Sequence, residues 1–410
     1  MRHERFVNLI SLLSLLALLL GLAASPAPRA QTGSSSGQQA ASRVRFAYGG
    51  NAAEIPATFF GNLIFLPTRI NNGQPSLFLL DSTAAATSIA PGRVTELGLG
   101  TLENSGLNLP GVDFRFDALP AVARDNLASE TGRTYQGTLG NDFLRLVVVE
   151  IDYGRKTMRL FDPEIYKYSG NGVRFPIRFA GGMPVIRAKL TLPHQKSREG
   201  EFVVNTALEA AMVISEKFGE GRHLFSAQLK TIPAVDPQIN GGGNIAIGRP
   251  KEIRLGEFSL EGAIAEFSPS DPIPGVGEDI AGMIGGGILR RFSVVFDYPH
   301  QQVFLAPNLH IHELEEEDKS GLTIHARGPG LKQFEVVAVQ PGTPGAHAGI
   351  RKGDLIVAID EEAAADLSLI GIRELFRESG RTCKIAIERN GQSLQVSISP
   401  RRLLPTSSGS

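Results

Sequence analysis

Two short stretches of this 410-residue chain end an apolar run with side chains able to handle protons or hydrogen bonds. In the first, Leu79-Leu80 leads into Asp81-Ser82-Thr83; in the second, Val203-Val204 leads into Asn205-Thr206-Ala207. A held carboxylate such as Asp81 can act as a general acid or base. An Asp at a strand end can equally serve a turn by accepting backbone N–H groups. Taken alone the turn is the better account; recurrence of the pattern makes a functional position the better one. Other chemistry is thin. His194, His223, His310 and His312 lack the spacing of metal ligands, and one cysteine, Cys383, permits neither an internal disulfide nor a zinc motif. Cys383 suits a small buried hydrophobe, and Asp152 and Asp297 suit turns after long strands. No metal and no cofactor is expected.

The elements around these stretches repeat. Gly137 to Leu160 aligns without a gap on Gly282 to Leu305, with identities at Gly137/Gly282, Gly140/Gly285, Leu144/Leu289, Arg145/Arg290, Val149/Val294, Asp152/Asp297, Tyr153/Tyr298 and Leu160/Leu305. Pro56, Phe59 and Gly61 match Pro176, Phe179 and Gly181 further upstream. Three blocks in one order imply two homologous lobes, residues 51–163 and 170–308. Most segments read as strands: Leu77 to Leu80 is a short apolar run, Val147 to Tyr153 is β-branched, and Lys156 to Phe161 alternates.

This doubled arrangement resembles the pepsin/retropepsin-like aspartyl proteases, in which an apolar strand ends in Asp-Thr/Ser-Gly and an apolar-apolar-Gly block follows. Here the later blocks are Thr138-Leu139-Gly140 and Met283-Ile284-Gly285. The resemblance implies two carboxylates sharing one proton across the lobe interface. It also implies hydroxyls, here Ser82 and Thr206, that brace the two loops. The sequence departs from that pattern at Asn205, where the second Asp belongs, and at Thr83 and Ala207, where glycines belong. A carboxamide has no acid proton to share, and losing a positioned acid or base costs on the order of 10²–10⁴ in rate. Two readings follow: a peptide-binding pseudoprotease, and an active endopeptidase in which Asp81 works alone or with a second copy of the chain.

From Lys319 to Arg402 the chain resembles a PDZ domain. The match is carried by Phe334 to Asp360, with its Pro341-Gly342 turn, Ala348-Gly349-Ile350 and Gly353-Asp354-Leu355-Ile356. Leu367 to Arg377 spaces its apolar residues for an amphipathic helix. PDZ domains take extended peptides between such a helix and a sheet edge. The resemblance places the carboxylate-binding loop at Gly321, Leu322, Thr323 and Ile324, against the simpler reading of an ordinary strand entry.

The expected fold is therefore mainly β: a bilobal aspartic-protease-like β-barrel body followed by a PDZ α/β sandwich. Around it lie a flexible linker over 31–50, an acidic solvated linker over 309–318, the PDZ domain over 319–402 and a mobile tail over 403–410. The basic Arg2, His3 and Arg5, the apolar Phe6 to Ala24 and the small residues and prolines up to Ala30 form the pattern of a signal peptide over 1–30. An uncleaved membrane anchor is the rival, and it is the one route to membrane attachment. Export through that signal peptide implies periplasmic or secreted localisation. With 41 basic and 42 acidic residues nothing points to nucleic acid. The expected partners are extended peptides or protein C-termini. A purely structural envelope protein would leave two peptide-type grooves without a use, and the oligomeric state stays open.

Overall fold

Alternation builds the strands. In Thr157–Phe161 the side chains of Met158 and Leu160 turn inward while Thr157 and Arg159 face solvent. Positive-φ asparagines, Asn71 and Asn72, turn the chain between Leu63–Ile70 and Ser76–Leu80, the residue type that tolerates that backbone best after glycine. The computed structural model describes residues 43–405, apart from 100–101, 124, 216–217, 219–228, 237–242, 270–272, 274–275 and 278. The 1–30 segment and His223 lie outside the described residues. Among the described residues no helix is long and apolar enough to cross a membrane.

The fold is mainly β. Its centre is a six-stranded antiparallel sheet in the order Val173–Pro176, Gln302–Pro307, Phe292–Asp297, Val148–Asp152, Thr157–Phe161, Ala52–Ile55. Both lobes contribute, and they meet at its middle. There Val149 opposes Phe296, the repeat equivalent of Ile151, while Ile151 opposes Val294, the equivalent of Val149. The pairing is reciprocal, so the repeat is expressed as a local two-fold relation.

Each lobe adds a larger sheet with matching topology. In lobe 1, Ser76–Leu80 runs parallel to Gly137–Leu139, which pairs antiparallel with Ser88–Ile89. In lobe 2, Arg198–Val204 runs parallel to Ile280–Ile284, which pairs antiparallel with Met212–Ser215. The registers correspond, Phe78 opposite Gly137 and Phe202 opposite Gly282. One apolar core runs through both lobes.

The C-terminal domain has its own core. Its main strands lie in the order Leu322–Arg327, Gln333–Val339, Leu355–Ile359, Cys383–Arg389, Gln392–Ile398. The helix Leu369–Arg377 starts at Ser368, whose Oγ accepts the Gly371 N–H at 3.2 Å, and it buries Leu369, Ile372 and Phe376. Cys383 lies fully in this core, and burial pushes its thiol pKa up.

Three expectations about flexible segments are corrected. Within the 31–50 stretch, Val44–Phe46 forms a strand on Val112–Ala118, and Phe46 enters the core. The acidic run is docked: Glu315 Oε2 accepts the Ile264 N–H at 2.9 Å, and Glu317 is buried beside Arg249. Within the 403–410 tail, Leu404 is 1% exposed, and Glu317 Oε1 accepts the N–H groups of Leu403 and Leu404 at 2.8 and 3.1 Å. A run of glutamates reads as solvated until a distant Arg supplies the opposite charge.

Candidate functional site

Parallel pairing delivers Asp81 and Asn205 to equivalent places. The Asp81 N–H donates to Leu139 O at 3.0 Å, and the Asn205 N–H to Ile284 O at 2.8 Å. Gly140 follows the first of these partners, and a Cβ there would fall 2.6 Å from the Ala86 carbonyl carbon and 2.8 Å from Ala84 O. Only glycine fits that contact.

The two loops lock onto each other reciprocally. The Ser82 N–H donates to Thr206 Oγ1 and the Thr206 N–H to Ser82 Oγ, both at 3.0 Å. Each hydroxyl then donates across the interface, Ser82 Oγ to Val204 O at 2.7 Å and Thr206 Oγ1 to Leu80 O at 2.8 Å. Both residues are fully buried, so these four bonds fix the loops in a water-poor setting. They also join the Asp81 loop to lobe 2, in the place a second copy of the chain would need.

The side chains themselves differ. Asp81 is 1% exposed, and its Oδ1 accepts the Thr83 hydroxyl at 2.6 Å, the Thr83 N–H at 2.8 Å and the Ala84 N–H at 3.2 Å. Asn205 Oδ1 accepts the Ala207 N–H at 2.9 Å, and its Nδ2 lies 3.6 Å from Met283 Sδ. Thr83 is thus more than a replacement for glycine, since its hydroxyl engages the carboxylate. The site can bind and orient polar groups through one carboxylate and one carboxamide; the carboxamide supplies no proton.

Tyr298 is one of the repeated identities, yet its residue type alone points to no role. Its ring is buried edge-on to Phe179 at 5.2 Å, as Tyr153 is to Phe59 at 5.7 Å. Burial first, and the Asp81 charge second, hold the Tyr298 phenol well above its ordinary pKa. Arg145, whose guanidinium sits 4.5 Å from the centre of the Phe179 ring, opposes this. Asp152 and Asp297 accept nearby turn N–H groups, from Arg155 at 2.9 Å and His300 at 3.3 Å.

An apolar layer adjoins each loop. In lobe 1, Leu63, Phe65 and Leu79 are joined by Phe60, Leu77, Leu127, Tyr135 and, from lobe 2, Ala207. In lobe 2 the layer includes Val203, Leu208, Met283, Ala234 and Ile245. A cavity of about 500 Å³ lies elsewhere, on the outer face of the six-stranded sheet among Phe161, Tyr166, Tyr168 and the Arg159–Glu150 pair, and no residue of either loop lines it. Among the described residues no group of three His, Cys, Asp or Glu is placed to hold a metal ion.

In the C-terminal domain, Gly321 is a buried entry to the strand that contains Leu322, Thr323 and Ile324. Two N–H groups expected to receive a peptide carboxylate are already engaged. The Gly321 N–H donates to Asp318 Oδ1 at 3.2 Å and the Leu322 N–H to Ser320 Oγ at 3.1 Å. In this structure an internal carboxylate, Asp318, stands at the entrance of the expected carboxylate loop. Nothing in the local sequence marks Asp318 for this, because it reads as part of the acidic run.

A clasp holds this domain to lobe 2. Arg249, 2% exposed, donates Nε to Pro405 O and Nη2 to Glu315 O, both at 2.9 Å, contacts Gly262 O, and pairs with Glu317 Oε2 at 3.5 Å. Burial lowers its pKa, against the pull of Glu317, Glu315 and Glu316.

A family model described as PDZ domain matches residues 335–389, and the chain carries a PDZ domain there. A curated protein of Thermotoga maritima named "Putative zinc metalloprotease" is 36% identical over 73 residues, which are 18% of this chain and 13% of that protein. The chain thus spans a small part of that relative. Among solved structures, a photosystem II D1 C-terminal processing protease covers 20% of this chain and 22% of its own, at 28% identity and a TM-score of 0.19. An aspartic proteinase from Irpex lacteus covers 64% of this chain and 99% of its own, at 13% identity and a TM-score of 0.38.

Proposed function

We propose that this chain is an exported, aspartic-protease-like binding protein that holds extended polypeptide between its lobes without efficient cleavage, and that its PDZ domain serves the same class of ligand. The observation that carries the reading is Asn205. Loop geometry, bracing hydroxyls and supporting glycine are kept, yet the residue equivalent to Asp81 is a carboxamide tied to Ala207 N–H. General acid–base hydrolysis of an amide needs one group to take a proton and another to give one. Here the second group is missing. The basic, apolar and small-residue succession over 1–30 supports export.

The test is incubation of purified protein with unfolded protein substrates at acid and neutral pH. No cleavage above background is expected. Pepstatin-sensitive cleavage abolished by Asp81→Ala would establish instead the second reading, an endopeptidase working from Asp81 alone. Export is tested by fractionating the producing cells, and retention in the cytosol would sink that part.

A further inference from the structure

The strand Leu322–Arg327 ends its sheet, and one edge is unpaired with any strand. This edge and the helix Leu369–Arg377 form the place where an extended peptide would add. It is not open. The lobe 1 helix Asp125–Thr131 lies against the strand. Arg373 ties the parts together: its Nη2 donates to Glu130 O at 2.7 Å and approaches Ile324 O at 3.4 Å, while Nη1 pairs with Glu209 Oε2 at 3.3 Å. Glu130 and Thr131 are buried there. Gly132, at φ +70°, sits so close that a Cβ would fall 2.7 Å from Leu369 Cβ. The same lobe 1 helix also sends Leu127 against the buried cluster of Leu63, Phe65 and Leu79, on which Phe60 and Ala207 pack as well.

We propose that helix Asp125–Thr131 is a plug, built into the chain, that closes the PDZ groove, and that an extended peptide pairing with Leu322–Arg327 must expel it. Expulsion withdraws Leu127 from the buried cluster of Leu63, Phe65 and Leu79, against which Ala207 of the second loop also packs, so occupation of the PDZ groove loosens the packing beside the site loops. This rests on the peptide-binding reading above. A groove open in only a small fraction of molecules binds more weakly by that fraction.

The experiment uses full-length protein and a fluorescent pool of random decapeptides, with amide exchange followed in parallel. Arg373→Gln cuts the tie to Glu130 O; Leu127→Asp unseats the helix from the cluster of Leu63, Phe65 and Leu79. Unchanged exchange in Cys383–Arg389 certifies that the PDZ core stays folded. The expected result is binding at least about tenfold tighter in both variants than in the unaltered chain. In the unaltered chain, bound peptide should raise exchange over 125–131. Equal binding by all three proteins with 125–131 unmoved by peptide overturns the plug and leaves peptide binding standing. Faster exchange over 125–131 in the variants without any gain in binding overturns the plug and the peptide-binding reading of the PDZ domain together.

Discussion

At the scale of single residues, the Thr206 hydroxyl ties the two site loops together inside the protein. Thr206 Oγ1 donates one buried bond and accepts another. Thr206→Ala leaves the Ser82 N–H and Leu80 O without that partner, and the expected cost is about 2–6 kcal/mol at roughly 1–3 kcal/mol per buried polar group. Thr206→Ser keeps the oxygen and should cost about 1 kcal/mol for the lost methyl. Denaturant titration of the two variants checks the order, and similar losses would deny the bonds their role. A second consequence follows from Asp318. Because its carboxylate already engages the Gly321 N–H, peptides with a free C-terminus and their amides should bind the PDZ domain alike. Paired titrations read this directly; a strong preference for the free acid would show that Asp318 yields its place. A third concerns His325, half-buried on the edge strand, with an Nε2 lacking a hydrogen-bond partner among the described residues. Burial first, then the charges of Arg373 and Arg327, lower its pKa. The unfolded chain therefore takes up this proton first as pH falls, so the associated stability is complete above about pH 6.5 and declines below it. His325→Gln should lose less stability than the unaltered protein between pH 7 and 5, as measured by chemical denaturation at both pH values.

At the scale of elements, the clasp gives the sharpest expectation. Arg249→Met strands buried Glu317, and breaking such a pair by removing one partner costs about 3–5 kcal/mol. The 309–318 segment should become sensitive to limited proteolysis, and continued resistance would mean the clasp is not what orders it. The sequence made some of this readable and hid the rest for a physical reason. The repeated identities fall where burial and close approach dictate residue type: Gly140 under the Ala84–Ala86 backbone, Leu144 and Val149 in the core, Tyr153 and Tyr298 edge-on to Phe59 and Phe179. Such positions announce themselves by type and period, which is why the mainly β fold, the two lobes and the loop pair were legible. Arg249, Arg373 and Asp318 were not. Each acts through a single contact with a distant segment, which leaves no periodicity behind. Tyr298 could have been found, since an aromatic kept in both copies of a repeat after a turn Asp is more than that turn requires.

At the scale of the whole molecule, binding elements that the sequence presents as separate are joined. Helix Asp125–Thr131 is wall to the lobe 1 layer and cover to the PDZ edge, while the clasp fixes the PDZ domain from the lobe 2 side. Under the two proposals above, a ligand at the PDZ edge would act on an element shared with the lobe 1 layer, and any differential affinity there would be felt at the site loops.

The reciprocal pairing of Val148–Asp152 with Phe292–Asp297 carries a consequence of its own. A seam in which equivalent repeat positions face each other in both directions is one that two copies of a half-molecule could close. Produced alone, residues 43–163 would present Val148–Asp152 as a bare sheet margin whose natural complement is itself, with Val149 of one copy facing Ile151 of the other. Sedimentation of that fragment should show a self-associating species, and a Val149→Lys exchange should keep it single.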